Sequence, residues 1–138
     1  RTNIRNVTLD MLAEPIEFFS VDVSFISLHH IFPVAQAITT PDAMGVCLVK
    51  PQFEAGREKV GKNGVVRDPA THCEVLHNAM GYAAANGFVV RGLDFSPVKG
   101  PEGNIEYLMF VQKSEQPCVL DDSVAEQVVA ASHSSLDK

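Results

Sequence analysis

Three charged side chains stand where apolar stretches of this sequence would otherwise continue: Asp22, Lys50 and Glu106. Asp22 falls within residues 16–26, a run rich in Ile, Phe and Val. Lys50 ends the run 43–50, and Glu106 falls in 104–113. A charge in an apolar strand costs free energy unless it is paired or used. Any one of the three alone reads as half of a satisfied salt bridge. Three that converge on one crevice at strand ends fit a site, because open α/β sheets place their sites there. An amine beside two carboxylates can pair or move protons. A lysine acts as a base only when neutral, a form favoured by burial or a neighbouring cation and opposed by nearby carboxylates.

A second feature is a basic loop. From Lys50 to Arg67 the bases are Lys50, Arg57, Lys59, Lys62 and Arg67, and the acids are Glu54 and Glu58. This segment is net positive in a chain whose formal net charge is −6. It suits contact with a nucleic-acid backbone, or it is an ordinary solvated loop. Phe53 within it either stacks on a base or anchors the loop to the core. His29 and His30 adjoin on a helix, where neighbours do not share a face. His72, Cys73 and His77 lie on one helix without the compact spacing of a ligand set, so no metal site is expected. Cys47, Cys73 and Cys118 read as reduced thiols, since they form neither a CxxC pair nor a disulfide framework.

The elements that must position these residues follow from apolar period and capping signals. Thr8 and Pro15 bound a short helical turn. A buried strand over 16–26 ends near Asp22, and Ser27 caps a helix over 28–38 that Pro41-Asp42 breaks. A second continuous apolar strand spans 43–50, followed by the polar loop 52–67. Asp68 as N-cap and Pro69 at the first position start a helix that runs to about Asn86 and stops at Gly87. Residues 88–97 and 104–113 form two strands of an antiparallel hairpin. A weak helix over about 121–131 then leads into a Ser-rich end expected to be disordered. Buried strands alternating with helices predict an α/β fold: a mostly parallel sheet with a C-terminal antiparallel hairpin.

The segment 50–69, KPQFEAGREKVGKNGVVRDP, resembles the signature of TlyA-type (hemolysin A) rRNA methyltransferases within the FtsJ-like superfamily. DVSFISL at 22–28 resembles that family's fourth-strand motif, and FSPVKGPEGNIE at 95–106 its closing hairpin. RTNIR at 1–5 resembles the stretch before the fourth strand. The likeness is collinear over roughly 1–113. It implies the C-terminal part of a Rossmann-like methyltransferase sheet over 1–113, with 114–138 as a tail. It implies S-adenosylmethionine as cofactor, ribosomal RNA as partner and ribose 2′-O-methylation as the reaction. In the family's Lys-Asp-Lys-Glu tetrad, Asp22 matches the Asp, Lys50 the second Lys and Glu106 the Glu, with Glu102 a weaker candidate for the last. Asp22 would also face the cofactor's sulfonium. Arg57, Lys59, Lys62 and Arg67 would bind RNA. The first Lys, the glycine-rich cofactor loop and the acidic residue for the cofactor ribose are expected upstream of these residues, as is the family's RNA-binding domain.

The totals set limits. The chain has 138 residues, 46% of them apolar, enough for one compact domain. Its acidity argues against coating nucleic acid along its whole length. It opens without an initiator Met or an apolar leader, so a start further upstream and a cytoplasmic location are expected. No apolar run approaches the roughly 20 residues of a membrane span. Two other readings stand beside the enzyme: a non-catalytic RNA- or protein-binding fragment, and a membrane-acting hemolysin, which would need membrane segments. The 138 residues alone are expected to be inactive. The strand near Asp22 is expected to leave an uncovered apolar edge through which copies associate.

Overall fold

The computed structural model describes residues 16–22, 27–56, 59–61, 64–100, 103–114 and 123–136. Strand β1 (Ile16–Val21) stops one residue before Asp22. A 3-10 turn (Leu28–His30) follows, started by Ser27, whose hydroxyl accepts from the His29 amide. It leads directly into helix α1 (Phe32–Ile38). Strand β2 (Thr39–Val49) starts earlier than the apolar run suggests, since Pro41-Asp42 ends the helix and lies inside the strand. The proline is tolerated because the β1–β2 register is irregular there. Pairing holds at Ile16–Thr39, shifts, and resumes at Phe18–Met44. The loop after Lys50 contains a short helix α2 (Pro51–Glu54).

Helix α3 (Pro69–Ala85) starts as its capping signals predict, with Asp68 accepting from the Ala70 amide at 3.0 Å. It ends at Asn86, and Gly87 follows with φ 79°, the left-handed conformation that glycine adopts most readily. Strands β3 (Phe88–Phe95) and β4 (Tyr107–Lys113) are the antiparallel pair expected of the hairpin. The order in the sheet is β1-β2-β4-β3, so β4 lies between β2 and β3. β1 and β2 pair in parallel, and β4 opposes both its neighbours. Three strands therefore run one way and β4 alone runs the other.

Helix α4 (Ser123–Leu136) departs from expectation. It runs through the Ser-rich stretch that the composition marks as disordered. Ala125, Val129 and Ser132 lie at helical spacing and are buried. The helix packs with α3 and β3 in the common core. Burial and tertiary hydrogen bonds override the weak local propensity of serine.

The core fills one face of the sheet. Cys47 and Val49 of β2 and Tyr107, Met109 and Val111 of β4 meet Phe32, Leu76, Ala79 and Val129 of the helices. The alternate residues point the other way. On that second face Phe18, Met44 and Phe110 are 64%, 50% and 43% exposed. Pairing sets Phe18 beside Met44 and Phe110 beside Val46, so the exposed apolar surface is contiguous across three strands.

Candidate active site

The strands bring the three charged residues to one end of the sheet. Asp22 follows the last residue of β1, Lys50 follows the last of β2, and Glu106 precedes the first of β4. β4 runs opposite to β1 and β2, so its start lies at their carboxyl ends. The pair Val49–Tyr107 closes the β2–β4 ladder, and Lys50 and Glu106 are the next residues on the two chains. Local pairing thus fixes all three positions, although the residues are far apart in sequence.

Lys50 is buried and its ammonium is ion-paired with the Asp22 carboxylate. The Asp22 side chain is 70% exposed, so the pair spans the boundary between protein and solvent. Glu106 is 5% exposed. Its Oε2 accepts from Gln52 Nε2 at 2.9 Å, and its backbone carbonyl accepts from the Ser96 amide at 2.8 Å. Gly100 backs this carboxylate. A Cβ there would overlap the Glu106 carboxylate, so the carboxylate would have to shift to make room for any other residue.

Two polar residues that the sequence does not single out hold the arrangement. Gln52 stands two residues after Lys50 and engages Glu106 with its amide nitrogen. Its Oε1 is buried with no hydrogen-bond partner among the described residues. Such an acceptor at the site calls for a donor. Glu54 accepts from the Ser27 hydroxyl at 2.7 Å and from the Leu28 amide at 2.8 Å. These bonds tie the segment after Asp22 to the helix after Lys50. Burial raises the Glu54 pKa above its ordinary value, against the opposing pull of the two donors and His29.

The basic loop is not gathered in the same way. Lys59 lies 3.7 Å from Glu74 on α3, an exposed pair. Arg67 is exposed and lines a small cavity with Lys99 and His133. Arg57, Lys62 and Glu102 lie outside the described residues. Phe53 is half-buried on α2.

The histidines and thiols fall elsewhere. His72 is fully buried and bonded on both ring nitrogens, and His77 stands 3.3 Å from Glu126. No group of three or more His, Cys, Asp or Glu among the described residues is arranged to hold a metal ion. Burial, helped by Glu54, pushes the Cys47 thiol up to about 12, which keeps it out of thiolate chemistry. Among the described residues no helix is long and apolar enough to cross a membrane.

YqxC of Bacillus subtilis, provisionally named an rRNA methyltransferase, is 43% identical over 140 aligned positions, covering 99% of this chain and 50% of its own length. The 16S/23S rRNA (cytidine-2′-O)-methyltransferase TlyA of Mycobacterium tuberculosis is 37% identical over 112, covering 81% of this chain and 42% of its own. A solved Streptococcus thermophilus protein, provisionally named a hemolysin, superposes with a TM-score of 0.93 at 42% identity, over 99% of this chain and 50% of its own. A SAM-dependent methyltransferase from Methanosarcina mazei shares the fold with a TM-score of 0.52 at 14% identity, over 83% and 66%. The chain spans about half the length of the curated relatives it matches. The model of the FtsJ-like methyltransferases matches residues 1–113, a span that carries Asp22, Lys50 and Glu106 together. This chain belongs to the FtsJ-like methyltransferase family.

Proposed function

We propose that these residues form the catalytic end of an S-adenosylmethionine-dependent ribose 2′-O-methyltransferase acting on ribosomal RNA. The observation that carries this reading is the buried Lys50 ammonium paired with Asp22 at the carboxyl end of the sheet, with Glu106 beside it. The family match and the relatives named as rRNA methyltransferases support it.

The chemistry asks for such groups. A ribose 2′-hydroxyl is a poor nucleophile while it keeps its proton. Lys50, once it has released its own proton, takes that proton as the oxygen attacks. The site must also hold the oxygen in line with the methyl group it receives. Asp22 orients the Lys50 amine. Glu106, fixed by Gln52 and backed by Gly100, holds the sugar or the lysine in place. S-adenosylmethionine supplies the electrophilic methyl when bound. An exposed carboxylate suits a neighbouring sulfonium cation, so the Asp22 side chain fits that group on charge. Arg57, Lys59, Lys62 and Arg67 contribute contacts to RNA phosphates.

The rest of the cofactor site belongs, in this reading, to a further part of a longer protein. The 138 residues alone then lack methyl transfer, work in the cytoplasm only as part of that protein, and self-associate through the β1 edge and the exposed apolar face. Calorimetry with S-adenosylmethionine tests this. The expected result is no binding by the 138 residues and saturable binding by a chain that also carries the upstream half. Tight binding by the 138 residues alone would contradict the division of the site.

A further inference from the structure

Only half of the Gln52 amide is used in the structure. Its Nε2 donates to Glu106 Oε2 at 2.9 Å. A carboxylate oxygen accepts, so this bond fixes which way the amide points. Turned over, the amide would set two acceptors face to face. Oε1 is therefore held away from Glu106, buried and without a hydrogen-bond partner among the described residues. Buried acceptors in folded proteins are nearly always met, and leaving one unmet is costly. This one calls for a donor that arrives in function.

The fold brings a donor to the same place. Lys50 caps the start of helix α2, and Gln52 is the second residue of that helix. Val49 and Tyr107 are paired, so Lys50 and Glu106 are the next residues across the ladder and share a side of it. The Gln52 amide rests on that same Glu106 carboxylate. The Lys50 side chain and the Gln52 amide thus have one neighbour in common. In the structure the Lys50 ammonium is drawn to Asp22, whose side chain is 70% exposed at the rim of the site. Lys50 itself is buried. Its flexible four-carbon stem lets the nitrogen swing inward while the backbone stays in place. Glu54, the acidic residue of α2, is occupied by Ser27 and the Leu28 amide.

We propose that Gln52 is a positioning residue for Lys50, its Oε1 taking one N–H of the lysine amine while Asp22 takes another. A neutral primary amine has two N–H donors and one lone pair. Its lone pair points in one direction only when both N–H groups are held. Asp22 supplies one acceptor and Gln52 Oε1 the second, which leaves the lone pair to receive the proton of a hydroxyl. The second acceptor is an uncharged amide, so it orients the amine without the negative charge that would favour the ammonium form. Glu106 acts from behind by locking the amide. The role in methyl transfer rests on the methyltransferase reading; the contact between Lys50 and Gln52 does not.

NMR of the 138-residue chain tests the contact through the side-chain amide signals of Gln52, identified by their loss in Gln52→Leu. Asp22→Asn, at an exposed position, loosens the hold on Lys50 at the rim and sends its nitrogen inward, so the Gln52 signals shift. Adding Lys50→Met to Asp22→Asn cancels that shift. Gln52 signals that ignore Asp22→Asn, or that respond equally in the double variant, would overturn the contact. A second arm places Gln52→Leu in a longer protein that contains this chain. Methyl transfer to ribosomal RNA should fall about tenfold in kcat, the worth of one hydrogen bond, with the KM for RNA within about twofold. A raised KM at unchanged kcat would make Gln52 a support for RNA binding and overturn its positioning role. A parent protein that transfers no methyl group would count against the methyltransferase reading, while the shift in the first arm would still establish the contact.

Discussion

At the scale of single residues the site depends on polar side chains whose partners are remote in sequence. Glu54 is the one whose protonation bears on stability. Its folded pKa is raised by burial, so the folded chain holds this proton more tightly than the unfolded chain does. Stability from this group therefore rises as pH falls through the raised folded value toward the ordinary one near 4.5, and falls as pH rises through the same window. Glu54→Gln should flatten that part of a melting-temperature profile against pH. An identical profile in the variant would show that Glu54 carries no such linkage. Asp22, Lys50 and Glu106 are legible in the sequence because each interrupts an apolar stretch. Gln52, Glu54 and Asn104 are not, because a polar residue in a polar loop raises no anomaly. Their roles come from contacts such as Gln52 to Glu106 and Glu54 to Ser27, which span 54 and 27 positions.

At the scale of elements, Gly100 stands against the Glu106 carboxylate, and helix α4 packs on α3 and β3. Gly100→Ala should push the Glu106 carboxylate from its place, because the new methyl would overlap it. The expected outcome is a loss of methyl transfer in the longer protein with a circular dichroism spectrum like that of the parent. Full activity would show that Glu106 needs no fixed position. Tyr107→Phe removes the hydroxyl that meets Ser132 and His72 and should cost about 1–2 kcal/mol by denaturant unfolding. An unchanged midpoint would show that α4 docks by apolar packing alone. The capped start of α3 at Asp68-Pro69 and its end at Gly87 are readable locally, since capping chemistry involves neighbours in sequence. The extent of α4 is not. Ser132 and His133 look like tail residues until Tyr107 and His72, 25 and 61 positions away, come to meet them.

At the scale of the whole molecule, the sheet has one packed face and one exposed one. Phe18, Met44 and Phe110 form an apolar surface of the kind that associates with another surface. β1 is the end strand of the sheet among the described residues, and a sheet edge is a place where another chain can pair. Sedimentation of the 138-residue chain should show concentration-dependent association, reduced by Phe18→Lys with Phe110→Glu. A monomer at all concentrations would sink the self-association reading. The alternation of buried strands and helices makes the sheet itself legible, and apolar period alone does not reveal that β4 inserts between β2 and β3. That placement depends on long-range pairing, and it is what carries Glu106 to the end of the sheet where Lys50 and Asp22 meet.

Lys50 is the proposed base of the methyl transfer. The most direct measurement compares methyl transfer to ribosomal RNA by a longer protein that contains this chain with that of its Lys50→Ala variant, alongside calorimetry of S-adenosylmethionine binding by both. Transfer is expected to fall at least about 100-fold, the lower end for a lost general base, while cofactor affinity changes little. Transfer at the parent rate with cofactor affinity unchanged would contradict it.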